Sequence, residues 1–412
     1  MWRYMNTEFG KRVGHRSRVM TMSIYLDHAA TSPMPPEVIA AYAKALAVVG
    51  NPASVHSQGQ GAKQMLEDAR EKVAASLGAD PVEVTFTSGG TESINLAIKG
   101  FYWARNEGAR RPKILVTHAE HHATLDSAEW LEQHEDAEIV WMPVDSVGKI
   151  DLVALENALG DDVAIVTILL GNNEVGTIQP IAEIVRLASV HGVPVHCDAV
   201  SSYGYVPIDF RSSGLAALSV SAHKIGGPVG IGALLLARTA TLTPLLHGGN
   251  QQRARSGTQD AAGAAAFGAA AALAADGLEE RVAHLAALRD RLVAGVREVV
   301  PSAILRGDTV DRLPGNAHFT FPGCEGDSLL FLLDLAGFSV SAGSACSAGV
   351  AEPSHVLTSM GLTPAEARGA LRITLGHETT EAEVDAFLAA LPEAAARAGV
   401  AGFADRETSV NA

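Results

Sequence analysis

The 412-residue chain has little cysteine, few aromatic residues and a deficit of positive charge. Its three cysteines, Cys197, Cys324 and Cys346, lie far apart with no CxxC pair. That spacing excludes a disulfide framework and a thiolate-based structural metal site, and it fits a reducing cytoplasm. The 46 acidic side chains outnumber the 31 basic ones, for a formal net charge of −15. Such a balance argues against direct nucleic-acid binding and against an anionic membrane surface; solubility is its plain explanation. Long apolar runs are missing as well. The longest uncharged apolar stretch, Ala261 to Ala275, is rich in alanine and too short to span a bilayer, so it is expected to open a buried helix. What the chain does have is 47 % apolar residues against 19 % charged, enough for a sizeable core and incompatible with general disorder.

Residues 1–22 differ from the rest. Arg3, Lys11, Arg12, Arg16 and Arg18 make them basic, without the apolar stretch that a secretory signal needs. They are expected to be a disordered extension, or the product of a start assigned ahead of Met20 or Met22. Beyond them, strand-like and helix-like segments alternate. Pro36 sits at the first-turn position that proline favours and opens a helix over 37–49. The apolar run Val163 to Leu169 reads as a central strand, and 82–86, 113–117, 138–142, 193–197, 215–219 and 231–236 read as further strands. Helices are expected between them, including 61–77, 91–106, 125–134 and 181–191. Apolar strands alternating with helices predict an α/β fold with a mostly parallel sheet covered on both faces. From Ala261 one long helical stretch is expected to about Val300, followed by the short elements of a smaller α+β unit. The expected division is 32–280 for the large unit, and 23–31 with 281–400 for the small one.

Four segments carry chemistry. Thr87-Ser88-Gly89-Gly90-Thr91-Glu92-Ser93 follows a strand and opens a helix. Its glycines allow close backbone approach, and the helix start offers free N–H groups to an anion such as a phosphate; an ordinary glycine turn is the alternative. In Ser221-Ala222-His223-Lys224-Ile225-Gly226-Gly227 a lysine stands between an apolar strand and a glycine pair, placed for a ligand or, as most lysines are, for the surface. Burial or a nearby cation would lower its pKa and let it form a Schiff base. Asp198 follows an apolar strand, at the end where open α/β sheets bind ligands. A carboxylate there suits a protonated pyridine nitrogen, although capping the next segment is the simpler role. Ser341 to Gly349 surrounds Cys346 with small residues only, which favours an exposed, mobile and reactive thiol over a buried one. His121, just past a strand, is placed to stack on a cofactor or move protons, with a metal site shared with His118 as a rival. Arg372 inside an apolar strand needs a partner, either a substrate carboxylate or an internal carboxylate.

Those segments, with Tyr25-Leu26-Asp27-His28-Ala29-Ala30-Thr31, Asn172-Asn173-Glu174-Val175-Gly176, Arg255-Ser256-Gly257-Thr258 and Gly343-Ser344-Ala345-Cys346, stand in the order found in one family. From Ile24 to about Leu391 the chain resembles the cysteine desulfurases of the class V aminotransferase fold, in the group of the housekeeping iron–sulfur and nitrogenase-associated enzymes. The resemblance implies the fold type I architecture of pyridoxal 5'-phosphate-dependent transferases. It implies that Lys224 holds the cofactor, Asp198 meets its ring nitrogen and His121 stacks on its ring. Gly90, Thr91, Ser221 and His223 would hold its phosphate, with Thr258 reaching the phosphate of a neighbouring subunit in a homodimer. Asn173 and Arg372 would orient the cofactor and the substrate carboxylate. L-cysteine would become L-alanine, leaving a persulfide on Cys346 for a sulfur-acceptor protein. The sulfur would serve iron–sulfur cluster assembly, tRNA thiolation or DNA phosphorothioation. A selenocysteine lyase, another enzyme of this fold or a non-catalytic scaffold are the alternatives. Two departures stand out. Ser201 replaces the family's usual glutamine, and the segment before Arg255 is one residue short.

Overall fold

The computed structural model describes residues 23–249, 252–343 and 353–407. The expected extension 1–22 and the segment carrying Cys346 lie outside the described residues. In chain order the first half holds β1 (Ile24–Tyr25), α1 (Pro36–Leu46), α2 (Ser57–Ser76), β2 (Val84–Thr87), α3 (Gly90–Asn106), β3 (Lys113–Thr117), α4 (His122–Glu135), β4 (Glu138–Met142), α5 (Leu152–Ala158), β5 (Val163–Leu169), α6 (Ile181–Val190) and β6 (Val195–Asp198). Then follow α7 (Phe210–Ser213), β7 (Ala217–Ser221), β8 (Gly232–Leu236), α8 (Ala261–Ala275), α9 (Leu278–Val299), β9 (Ile304–Arg306), β10 (Asn316–Thr320), α10 (Gly326–Leu335), β11 (Phe338–Ser339), α11 (His355–Ser359), α12 (Pro364–Ala367), β12 (Ala370–Thr374) and α13 (Glu381–Glu407).

Seven strands form one sheet in the order β2-β8-β7-β6-β5-β3-β4. Only β8 runs antiparallel to its neighbours, β2 and β7. Every residue of β5 is buried, as a central strand covered on both faces requires. Its Val163, Val166 and Ile168 share a core with Leu66 and Val73 of α2 and Phe267 of α8. The alanine and glycine content of α8 has a packing reason. A Cβ on Gly268 would stand 2.9 Å from the Cα of Ala69, so α2 and α8 approach closely only because side chains there are small.

A second core gathers Phe319 and Phe321 near β10 with Leu329, Phe387 and Leu391. Its sheet has the order β12-β10-β9 and is antiparallel throughout. Strand β1 pairs in parallel with β11, Ile24 opposite Phe338, so the start of the chain is fastened to its last third. The single helix expected from Ala261 to about Val300 is two helices bent by 72°. Gly277 takes the left-handed conformation, φ 61°, which glycine adopts without the clash that a Cβ would bring. Glu279 and Glu280 then favour a new helix start. No single described helix is long and apolar enough to cross a membrane.

Candidate active site

The site lies at the carboxyl ends of β3, β5, β6 and β7, where adjacent parallel strands present their loops together. Lys224 sits on a single helical turn, Ala222–Ile225, directly after β7. Its Nζ donates to the carbonyls of Ala29 and Ala30, the latter at 3.0 Å. Ser32 Oγ donates to the Lys224 carbonyl at 2.9 Å, and Ser32 N to that of His223 at 3.0 Å. The segment 27–32 therefore closes over the lysine from the far end of the sequence. Burial, then the nearby Arg372 guanidinium, lowers the Lys224 pKa to about 8.

Asp198, the last residue of β6, is buried and accepts from Val200 N at 2.9 Å. Burial raises its pKa to about 6. A carboxylate so placed is stabilised by any cation that enters beside it. Next to it lies Glu120, fully buried, with Oε1 accepting from Thr117 Oγ1 at 2.9 Å and Oε2 without a partner among the described residues. Burial pushes the Glu120 pKa well above the usual carboxylate range.

His121 caps α4: its Nδ1 accepts from Ala123 N at 3.1 Å. That bond assigns the hydrogen of the neutral ring to Nε2. His121 is exposed, yet desolvation by the protein around it, then Lys224, lowers its pKa to about 4. His121 thus presents a neutral ring and an Nε2–H donor, and a second proton at Nδ1 would cost the helix its cap. His118, the rival metal partner, instead stacks on Trp141 with ring centroids 3.7 Å apart.

The start of α3, where an anion cradle is expected, is open. Gly89 offers no side-chain cap to the helix, leaving N–H groups free for a ligand. A Cβ on Gly90 would meet Val200 at 2.8 Å and Ser221 Cβ at 3.7 Å, so the cradle lies against the ends of β6 and β7. Thr91 is exposed there, and His223, its pKa lowered to about 4 by burial and by Lys224, is half-buried. Glu92 braces the turn: its carboxylate accepts from Ser88 N at 2.7 Å and pairs with Arg255 at 2.9 Å. Thr258, three residues past Arg255, is exposed.

Arg372 on β12 is buried and pairs with Asp27 at 2.8 Å, while its second amino group donates to the Asn173 carbonyl at 2.9 Å. The internal partner anticipated as an alternative is therefore present, and it stands inside the site. Asn173 and Ser201 line one cavity with Lys224, His28, Tyr205 and Asn316. Asn172 shapes that turn: its Oδ1 accepts from the N–H groups of Glu174 and Val175.

These residues fit pyridoxal phosphate. A half-buried amine of lowered pKa, a buried carboxylate seeking a cation, an open helix start beside two hydroxyls and a flat neutral ring are the donor set that cofactor requires. Asp27 and His28 stand in a motif of the sequence without a role read from it, and Glu120, beside His121, carries no sequence signal. Tyr205 and Asn316 had no sequence signal.

Residues 24–387 match the family model for aminotransferase class-V. The chain is similar to the IscS-like cysteine desulfurase of Mycobacterium tuberculosis (strain ATCC 25618 / H37Rv), 54% identical over 385 residues, covering 92% of this chain and 98% of that protein. Among solved structures it is similar to a NifS-like protein, with TM-score 0.84, 35% identity and coverage of 90% of this chain and 99% of that one. It is also similar to SspA in complex with cysteine, with TM-score 0.74 and 31% identity over 87% of this chain and 100% of that one.

Proposed function

This chain belongs to the aminotransferase class-V family as a pyridoxal phosphate-dependent cysteine desulfurase, and we propose that Lys224, Asp198, His121, Arg372 and Cys346 carry its reaction. The observation that supports this assignment most directly is the convergence of half-buried Lys224 and buried Asp198 at the ends of neighbouring strands β7 and β6. Bound pyridoxal phosphate supplies an electron sink for bonds at the substrate α-carbon. Lys224 anchors it and, with a pKa near 8, moves the α-proton close to neutral pH. Asp198 keeps the ring nitrogen protonated, and His121 lies against the ring. Gly90, Thr91, Ser221 and His223 bind the phosphate. Arg372 and Asn173 hold the carboxylate of L-cysteine. The Cys346 thiolate attacks the substrate sulfur, a sulfur–sulfur bond forms as the carbon–sulfur bond breaks, and the carbon takes a proton to leave as L-alanine. The persulfide on Cys346 then passes its outer sulfur to an acceptor protein, with iron–sulfur cluster assembly as the proposed use.

The same reading takes 32–280 as the cofactor-binding unit and 23–31 with 281–400 as the smaller one, supported by the two separate cores and the β1–β11 pairing. A cytoplasmic homodimer completes the proposal, with Thr258 reaching the neighbouring subunit's site. The exposed apolar side chains Leu46, Val48, Val49 and Val55 offer surface for that association. The test is L-alanine release from L-cysteine with a reductant present, for wild type and Cys346→Ala. Release by the wild type and its loss in the variant are expected. Undiminished release by Cys346→Ala would remove Cys346 from the mechanism, and a wild type that forms no alanine would overturn the assignment.

A further inference from the structure

His318 occupies the middle of β10, fully buried, with Arg372 of β12 directly opposite on one side and Arg306 of β9 on the other. Side chains directly opposite in register stand on the same face of a sheet. The row thus reads Arg306, His318, Arg372, and its last member reaches the active site. Burial first, then the guanidinium groups of Arg372, Arg312 and Arg306, keeps the imidazole neutral, with its pKa held at about 3. Neutral, the ring has one donor and one acceptor nitrogen. Neither has a partner among the described residues, and the Nε of Arg372 is equally buried and equally unpartnered. Buried polar atoms without partners are rare, and three on cross-strand neighbours require one explanation. The same face carries Asn316 and Thr374, which line the cavity shared with Lys224 and Asn173. His318 also backs onto the chain just before the cysteine segment: a Cβ on Gly343 would stand 3.1 Å from its Nε2 and 3.2 Å from Glu174 Oε2.

We infer that His318 is a positioning residue for Arg372, joined to the guanidinium Nε through a buried water and fixing the plane in which the guanidinium meets the substrate carboxylate. The inference rests on the proposed role of Arg372. A water accepting from the Nε–H and donating to the lone pair of His318 satisfies the guanidinium Nε and one of the two ring nitrogens. With Nε held from behind, the two terminal amino groups are turned toward Asp27, Asn173 and the ligand. Losing a hydrogen bond to a charged group of this kind corresponds to roughly tenfold in affinity.

The holoenzyme tests this. His318→Leu is expected to raise KM for L-cysteine roughly tenfold with kcat little changed, and to weaken product inhibition by L-alanine in parallel. Inhibition by cysteamine, which lacks the carboxylate, should stay as in the wild type. His318→Gln, which restores a polar group of similar reach, should return KM most of the way. Where leucine is not tolerated in the core, His318→Asn, too short to replace the bridge, serves as the second loss variant with the same expected KM. Arg372→Lys separates the two levels. If it raises KM while both loss variants leave KM unchanged, or if they weaken cysteamine and L-alanine equally, the His318 inference is overturned and the role of Arg372 stands. If Arg372→Lys leaves KM unchanged, the carboxylate assignment itself falls, and the inference with it.

Discussion

Lys224 makes the whole site depend on one amine, and its surroundings say how that amine is tuned. Its head group donates to the carbonyls of Ala29 and Ala30, while burial and Arg372 bring its pKa to about 8. Replacing it should therefore cost activity far more than stability. Lys224→Gln is expected to lower the rate of L-alanine formation by at least about 10²-fold, the lower end for loss of a proton-transfer group, with an unchanged urea midpoint. Comparable loss of stability and rate would assign the residue to the fold instead. At this scale much could be read from the chain alone. Lys224, Asp198, Gly90 and Ser221 follow strands or open a helix, and strand ends converge wherever a parallel sheet forms. Asp27 and His318 could not be read that way. Asp27 meets Arg372 across 345 positions of sequence, and nothing local to either residue announces the contact.

Among the elements, the break between α8 and α9 is the one that local pattern missed. The apolar periodicity runs through it, but Asp276 and Gly277 stop the helix because the glycine takes a left-handed backbone. A Cβ at Gly277 would meet nothing within 4 Å, so substitution there probes the backbone alone. Gly277→Ala should destabilise the protein by roughly 1–2 kcal/mol. Gly61 offers the opposite case. It lies inside α2 with equally open space around it, and Gly61→Ala should stabilise by roughly 0.5–1 kcal/mol. Urea midpoints of the two variants check both signs, and a matched shift in one direction would refute the conformational argument. The strands at 113–117 and 163–169 are legible in the sequence because buried parallel strands are short, largely apolar runs, and the edge strand at 138–142, only partly buried, is legible from its Ile-Val-Trp-Met run. Helix starts were less certain: α4 begins at His122, ahead of the expected Leu125, because His121 supplies the cap with its ring.

The whole molecule carries its pH dependence in histidines that are buried neutral. His196, bonded to Thr167 and Ser219, and His318 are fully buried, with pKa values held at about 3. Once unfolded, each takes up a proton below about pH 6.5. Between pH 6.5 and 3 the unfolded chain therefore binds more protons at these two positions, and stability falls on acidification by up to about 1.4 kcal/mol per pH unit for each. Asp198 works the other way. Its folded pKa of about 6 lies above the unfolded value, so from about pH 6 down to 3.8 the native state gains a proton there and is favoured. Glu120, also raised, adds to the aspartate's side, while His28, His121 and His223, each lowered to about 4, add to the histidines', which prevail. The urea midpoint should be lower at pH 4.5 than at pH 6.5 at constant ionic strength, and His196→Gln should flatten that dependence. An equal or higher midpoint at pH 4.5 would contradict it.

Sequence alone determined the fold class, the order of strands and helices, and the family, because each rests on local pattern: apolar runs, glycine at turns, and short motifs in a set order. It also named the lysine, the aspartate and the glycine cradle, since strand and helix ends carry their chemistry in adjacent residues. Tertiary structure alone decided which charges face one another. The ion pair of Arg372 with Asp27 and the enclosure of Lys224 by Ala29 and Ala30 join segments 345 and 194 residues apart, and the alignment of His318 with Arg372 joins strands that other elements separate along the chain. Burial and electrostatic tuning depend on what folds over a group, and no spacing along the chain encodes that.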